Sequence, residues 1–138
     1  MRKFKRVYAV FCILLIFIMA AAGCNIFQSP DEPEESYEFA VHFIDVGQGD
    51  SILIECEGRY MLIDSGEAEY AETVKSYMKA HDTNELDYLV VTHPHSDHMG
   101  GMPKIISEAS LTIDKILMPD AANNTALFEN MLLAIRDR

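Results

Sequence analysis

The sequence predicts an α/β fold in which helices pack on a mixed β-sheet. Two observations carry this prediction. Three short runs rich in β-branched and aromatic residues are separated by glycine-containing turns, and after them amphipathic segments alternate with two further apolar runs. The chain has 138 residues, 49% of them hydrophobic and 24% charged, which is the length and composition of one globular domain.

The folded part opens with three predicted strands, at residues 39–46, 51–56 and 60–66. The letters GQGD separate the first two runs and EGR separates the last two, and such connections are typical of tight turns. Cys56 falls inside the second apolar run. We therefore expect it to be a small buried side chain rather than a reactive thiol.

A helix and a central strand follow. Residues 67–81 carry an apolar stripe at helical spacing, with acidic residues in the first turn, and this pattern predicts an amphipathic helix. The stripe consists of Tyr70, Val74, Tyr77 and Met78. The run at 88–92, YLVVT, is short, continuous and rich in β-branched residues, which predicts a buried strand with neighbours on both sides.

The remaining chain predicts two more helices and one strand. Residues 103–109 form a short helical pattern in which Pro103 is tolerated in the first turn, and residues 113–118 read as a strand. The last helix begins near Asn124 or Thr125, since either side chain can cap it. Its predicted apolar stripe consists of Leu127, Met131, Leu132 and Ile135.

Residues 1–24 have the layout of an export signal. Four basic residues precede an uninterrupted apolar run over residues 7–22, which is shorter than the ~20 residues that cross a membrane as a helix. Residues 25–38 are polar and acidic and contain two prolines, which is the composition of a solvated linker. The predicted domain is thus residues 39–138.

The signal ends in Ala-Ala-Gly-Cys, which resembles a bacterial lipobox, although Ala21 stands where that pattern usually has leucine. The resemblance implies that Cys24 becomes the lipid-modified first residue of an exported protein, anchored through this lipid to the outer face of the cytoplasmic membrane. The alternative is plain cleavage after a small residue, which would leave Cys24 unmodified and the protein secreted.

Charge excludes one class of function. Residues 25–138 retain seven of the 11 basic residues and all 22 acidic ones, a formal charge of −15. Such a surface repels anions at long range, and the clustered Lys and Arg side chains that bind nucleic-acid phosphates are absent. The sequence therefore predicts no basic nucleic-acid-binding patch, and an anionic substrate would have to be held locally, for example by metal ions.

Three histidines and one aspartate lie within six residues, directly after the predicted central strand: His93, His95, Asp97 and His98. Imidazole nitrogens and carboxylate oxygens are ligands that zinc prefers, and one loop of this spacing can serve two metal ions. The alternative is a solvated polar loop, but the Gly-Gly pair that follows permits a tight turn into the next helix. The pattern therefore predicts a metal site.

The segment THPHSDHMGG, residues 92–101, resembles the HxHxDH signature of the metallo-β-lactamase superfamily. The resemblance implies a hydrolase in which two zinc ions activate a water. His93 and His95 would be ligands of the first zinc, and Asp97 and His98 ligands of the second, with Asp97 also helping to hold the reacting water. Manganese and iron suit the same ligand types.

Upstream, YMLIDSG resembles the family's earlier motif, a strand that ends in an aspartate. The resemblance implies that Asp64 supports the metal-binding loop through hydrogen bonds and is not itself a ligand, a role that second-shell carboxylates commonly fill. The alternative for Asp64 is an N-cap of the following helix.

The segment DVGQGDS, residues 45–51, resembles the start of the hydrolase domain of ComEC-type competence proteins, which act in DNA uptake, and of secreted relatives. This narrower resemblance implies a phosphodiester or nucleic-acid-related substrate, or another small molecule. Enzymes of β-lactam resistance share the metal-binding signature but do not begin with a DVGQGDS segment.

The resemblance covers the first half of the family's αββα sandwich. The third histidine of the first zinc, the bridging aspartate and the last histidine of the second zinc have no counterpart after His98. We therefore expect an N-terminal fragment of a longer hydrolase, inactive by itself. The alternative is a non-catalytic surface lipoprotein or binding module, and no oligomeric state is predicted.

Overall fold

A computed structural model describes residues 39–120 and 124–138. The predicted signal, the lipid-modified Cys24 and the acidic linker all lie outside the described residues. In the described part, five strands form one sheet in the sequential order β1-β2-β3-β4-β5. This is the mixed sheet with packed helices that the sequence predicts.

The first three strands form an antiparallel meander: β1 is Phe39–Phe43, β2 is Ile52–Cys56 and β3 is Arg59–Ile63. The turn between β2 and β3 contains Glu57 and Gly58, both with positive φ, as two-residue hairpin turns require. The three predicted strands are confirmed. The prediction for Cys56 is wrong, because it ends β2 directly before this turn and its side chain is exposed.

A 3₁₀ helix, Ala68–Tyr70, leads into α1, Ala71–Ala80, and the chain returns through β4, Glu85–Val90. β4 pairs in parallel with β3 on one side and with β5, Thr112–Leu117, on the other, as predicted for a central strand. β4 begins at Glu85, three residues before the predicted start at Tyr88.

Three more helices complete the described chain: α2 is Ser96–Met99, α3 is Met102–Ile106 and α4 is Ala126–Arg136. The hydroxyl of Thr125 accepts a hydrogen bond from the Phe128 N–H (3.3 Å), so the predicted cap of the last helix is confirmed. None of the described helices is long and apolar enough to cross a membrane.

The core lies where the helices cover the sheet. Its fully buried side chains come from β2, β3 and β4 and from the helices, and they include Leu53, Leu62, Leu89, Val74, Met102, Ile105, Ile106 and Met131. In α4 the predicted stripe is wrong at Leu132, which is 43% exposed, while Phe128 is buried in the core. The helix therefore turns its Phe128–Met131 side to the core, where it packs against α3.

Candidate metal centre

The histidine-containing loop begins where β4 ends. β3 and β4 run in parallel, so their carboxyl ends lie at the same edge of the sheet. Hydrogen bonds continue past both strands: the Asp64 N–H donates to the Val90 carbonyl (2.9 Å), and the Val91 N–H donates to the Leu117 carbonyl (2.8 Å). Asp64 and the loop from His93 are thereby placed side by side.

Three imidazoles meet in this loop. The ring centroids of His93 and His98 are 3.9 Å apart, and those of His93 and His95 are 4.6 Å apart. Oδ2 of Asp97 lies 3.9 Å from Nε2 of His98. His93, Asp97 and His98 are half-buried and His95 is exposed, so the cluster lies at the surface and is open to solvent.

Asp64 lies beneath this cluster and is only 1% exposed. Its Oδ1 accepts a hydrogen bond from the Thr92 N–H (2.8 Å), and its Oδ2 accepts from the Thr92 hydroxyl and lies 2.9 Å from Nδ1 of His98. The alternative role as a helix cap is not found, because the helical segment that begins at Ala68 has no side-chain cap. Both carboxylate oxygens of Asp64 are instead directed to the histidine-containing loop.

The backbone of Asp64 has a φ of +57°, a left-handed conformation that is uncommon for residues other than glycine. Such conformations cost energy and cluster at functional sites, where the surrounding contacts compensate for them. Here the compensation comes from the hydrogen bonds to Thr92 and His98.

Potential metal-ligating atoms of Asp64, His93 and His98 lie within 4.8 Å of one another, the one such group of three or more in residues 39–120 and 124–138. His95 and Asp97 lie beside this group but not within it. Imidazole and carboxylate form a donor set that fits zinc, manganese or iron. The division into a His93–His95 pair and an Asp97–His98 pair, with Asp64 as a supporting residue, stays a prediction.

Sequence reasoning missed several contacts that hold the loop. The Ser65 N–H and hydroxyl both lie within hydrogen-bonding distance of the His98 carbonyl (2.7 and 3.2 Å), and Ser96 donates to the Glu67 carboxylate (3.0 Å). Thr92 and Ser65 each adjoin a predicted site residue in the sequence. That adjacency is the only sequence signal that could have found them.

A further carboxylate, Asp50, lies at the rim of the cluster. Its Oδ2 is 3.7 Å from Nδ1 of His98, and its side chain is 63% exposed. It belongs to the glycine-containing loop between β1 and β2, whose residues alone predict a tight turn and to which the family resemblance assigned no role at the site.

The family model of the metallo-β-lactamase superfamily matches residues 44–122. The competence protein ComA of Neisseria gonorrhoeae is 34% identical over 89 residues, covering 64% of this chain and 13% of that protein. The zinc phosphodiesterase ELAC protein 1 of Homo sapiens is 33% identical over 61 residues, covering 44% of this chain and 16% of that protein. The chain thus spans less than a fifth of either relative.

Among solved structures, the metallo-β-lactamase SMB-1 bound to 2-mercaptoethanesulfonate is similar, with a TM-score of 0.46 and 23% identity. The match covers 53% of this chain and 29% of that one.

Proposed function

Because the family model matches residues 44–122, the chain belongs to the metallo-β-lactamase superfamily, and from this premise we propose that it supplies metal-binding residues of a metal-dependent hydrolase acting on a phosphodiester. The observation that carries the proposal is the convergence of ligand atoms from Asp64, His93 and His98 within 4.8 Å. The similarity to a zinc phosphodiesterase and to a competence protein supports the substrate class.

The residues have distinct proposed roles. His93 and His95 bind one zinc ion, Asp97 and His98 bind a second, and Asp97 also helps to hold the reacting water. When bound, such a metal pair supplies an activated water and an electrophile for the scissile group. Asp64 keeps His98 in the tautomer with Nδ1 protonated, because an ionised carboxylate only accepts hydrogen bonds.

A metal site also fits the charge of the molecule. The acidic surface repels a phosphodiester at long range, and bound divalent cations would provide local positive charge at the cluster.

The activity is tested on the protein translated from the whole encoding reading frame, with bis(p-nitrophenyl) phosphate as the phosphodiester and nitrocefin as a lactam. We expect turnover of the phosphodiester with added zinc or manganese and loss of turnover with a chelator. His93→Ala should lower the rate by about 100-fold or more, since changes to supporting residues alone cost ~10–100-fold. His81→Ala, outside the cluster, should retain activity.

Two results would contradict this proposal. Phosphodiester turnover that persists unchanged in His93→Ala would exclude the proposed centre. Turnover of nitrocefin but not of the phosphodiester would assign the centre to the lactam-hydrolysing class instead.

We also propose that the protein is exported and held at the outer face of the cytoplasmic membrane by a lipid on Cys24. In a bacterial host, labelled palmitate should be incorporated into the unsubstituted chain and into Cys56→Ser, which loses an exposed cysteine outside the signal. Cys24→Ser should carry no label. If Cys24→Ser were labelled as strongly as the unsubstituted chain, the lipid would be attached at another residue.

A further inference from the structure

We propose that Asp50 is a positioning residue of the metal centre, whose carboxylate acts beside Asp64 on Nδ1 of His98 and leaves Nε2 free to bind metal. This inference rests on the proposed metal centre and adds to it the loop between β1 and β2. The loop segment Gly47–Asp50 is called the GQGD loop below.

The backbone of Asp50 is fixed from two sides. Its N–H donates to the Asp97 carbonyl (3.4 Å), and its own carbonyl accepts from the Gly66 N–H (2.9 Å). The next residue, Ser51, donates its hydroxyl hydrogen to the Asp64 carbonyl (3.2 Å). The GQGD loop therefore joins the end of β3 to the metal-binding loop, and Asp50 has a defined place between them.

Gly49 permits this close approach. A Cβ at this position would overlap the carbonyl oxygen of Asp97, and the φ of +103° is one that other residues rarely adopt. The backbones of the two loops are consequently in direct contact, and the side chain of Asp50 is brought to the rim of the histidine cluster.

The two nitrogens of His98 face different carboxylates. Nδ1 lies 2.9 Å from Asp64 Oδ2 and 3.7 Å from Asp50 Oδ2, whereas Nε2 lies 3.9 Å from Asp97 Oδ2. Asp64 Oδ2, at hydrogen-bonding distance, favours a proton on Nδ1, and Asp50 Oδ2 places a second carboxylate on the same side of the ring, beyond that distance. The lone pair then resides on Nε2, which is on the side of the predicted metal ligand Asp97.

Asp50 and Asp64 differ in exposure, and this difference separates their roles. The Asp64 side chain is 1% exposed and is also bonded to Thr92, so its removal affects folding as well as the site. The Asp50 side chain is 63% exposed. Asp50→Asn removes the charge and keeps the backbone hydrogen bonds, so it reports on His98 with little effect on the fold.

The test is a titration of the full chain with zinc chloride, followed by competition with a chromophoric chelator. Asp50→Asn should lower zinc affinity by about threefold, as expected for the loss of an exposed carboxylate 3.7 Å from Nδ1 of His98. Asp50→Glu should restore most of it. The matched control is Asp114→Asn, an exposed aspartate of β5 outside this loop, which changes the net charge equally and should leave zinc affinity unchanged.

The tautomer of His98 provides a second readout that needs no metal. In the zinc-free chain at constant pH, the ¹⁵N shifts of the ring should show Nδ1 protonated, and Asp50→Asn should increase the fraction protonated on Nε2. Equal affinity and equal tautomer in Asp50→Asn and the unsubstituted chain would overturn the inference. If the unsubstituted chain bound no zinc, that result would contradict the proposed metal centre. The change in the His98 tautomer caused by Asp50→Asn would then still show whether Asp50 acts on His98.

Discussion

Asp64 shows how burial and backbone strain are compensated at a single residue. A buried carboxylate is costly unless its oxygens accept hydrogen bonds, and a left-handed φ adds to that cost. Both costs are offset by contacts from the metal-binding loop, namely the Thr92 N–H and hydroxyl and Nδ1 of His98. Asp64 and the loop therefore stabilise each other.

His42, in β1, is a second residue with an unusual environment. Its Nδ1 lies 3.1 Å from the Tyr77 hydroxyl, and its ring centroid lies 4.7 Å from that of His81. Within the described residues its Nε2 is buried without a hydrogen-bond partner. Burial lowers the pKa of His42, the neighbouring His81 lowers it further, and the Glu55 carboxylate opposes the shift.

This environment predicts a pH-dependent stability. Because the folded-state pKa of His42 lies below its ordinary value of 6.5, the contribution of the neutral form is fully present above pH 6.5 and is lost as the pH falls from there towards the folded-state pKa. Urea unfolding with a chelator present, from about pH 7.5 to about pH 5.5, should show falling stability in the unsubstituted chain and a shallower fall in His42→Gln.

The salt-bridged carboxylate of Asp87 does not contribute in this window. The Arg59 guanidinium holds the pKa of Asp87 below its usual range, so that contribution is lost only at more acidic pH, below about 4. Parallel pH profiles for His42→Gln and the unsubstituted chain would show that His42 does not cause the dependence.

At the scale of elements, the GQGD loop and the histidine-containing loop are in close contact at Gly49. We predict that a side chain added there lowers the stability more than one added at a glycine with free space around it. Gly49→Ala forces the Asp97 carbonyl to move, whereas a Cβ at Gly58, where φ is +75° instead of +103°, meets nothing within 4 Å. Gly58→Ala should cost about 1 kcal/mol from backbone strain. Gly49→Ala should cost about 2 kcal/mol more, because overpacking typically adds ~1–3 kcal/mol.

Urea unfolding of the two variants measures this difference, and a zinc titration of each measures its effect at the site. Gly49→Ala should weaken zinc binding, while Gly58→Ala should not. Equal stability and equal zinc affinity for the two variants would show that the loops do not need this close contact.

The elements also show what sequence patterns can predict. The apolar runs identify all five strands, because each run is short, rich in β-branched and aromatic residues, and bounded by polar or glycine-containing segments. The start of β4 is missed because Glu85 and Asp87 are polar, yet both lie in the strand, and Asp87 accepts hydrogen bonds from the Tyr60 N–H (2.9 Å) and from Arg59. Helix Ser96–Met99 is missed because four residues carry no periodicity.

At the scale of the whole molecule, the two faces of the sheet differ. The helices cover one face, where the core lies. On the other face several large apolar side chains of the edge strands are exposed: Phe43 is 78% exposed, Phe39 60% and Leu117 47%. Within the described residues these three side chains are thus largely in contact with solvent.

The sequence predicts those residues of the candidate site that are close to one another along the chain. His93, His95, Asp97 and His98 are found from their spacing after a strand. Their contacts with Asp50 and Ser65 join distant segments through parallel strands and backbone hydrogen bonds, which spacing alone does not reveal.

The most direct test of the central claim is zinc stoichiometry, measured by native mass spectrometry on the full chain. We expect at least one zinc ion bound to the unsubstituted chain and to His81→Ala, and loss of that ion in His93→Ala. An unsubstituted chain that binds no zinc, or a His93→Ala chain that binds it equally well, would contradict a metal centre at the end of β4.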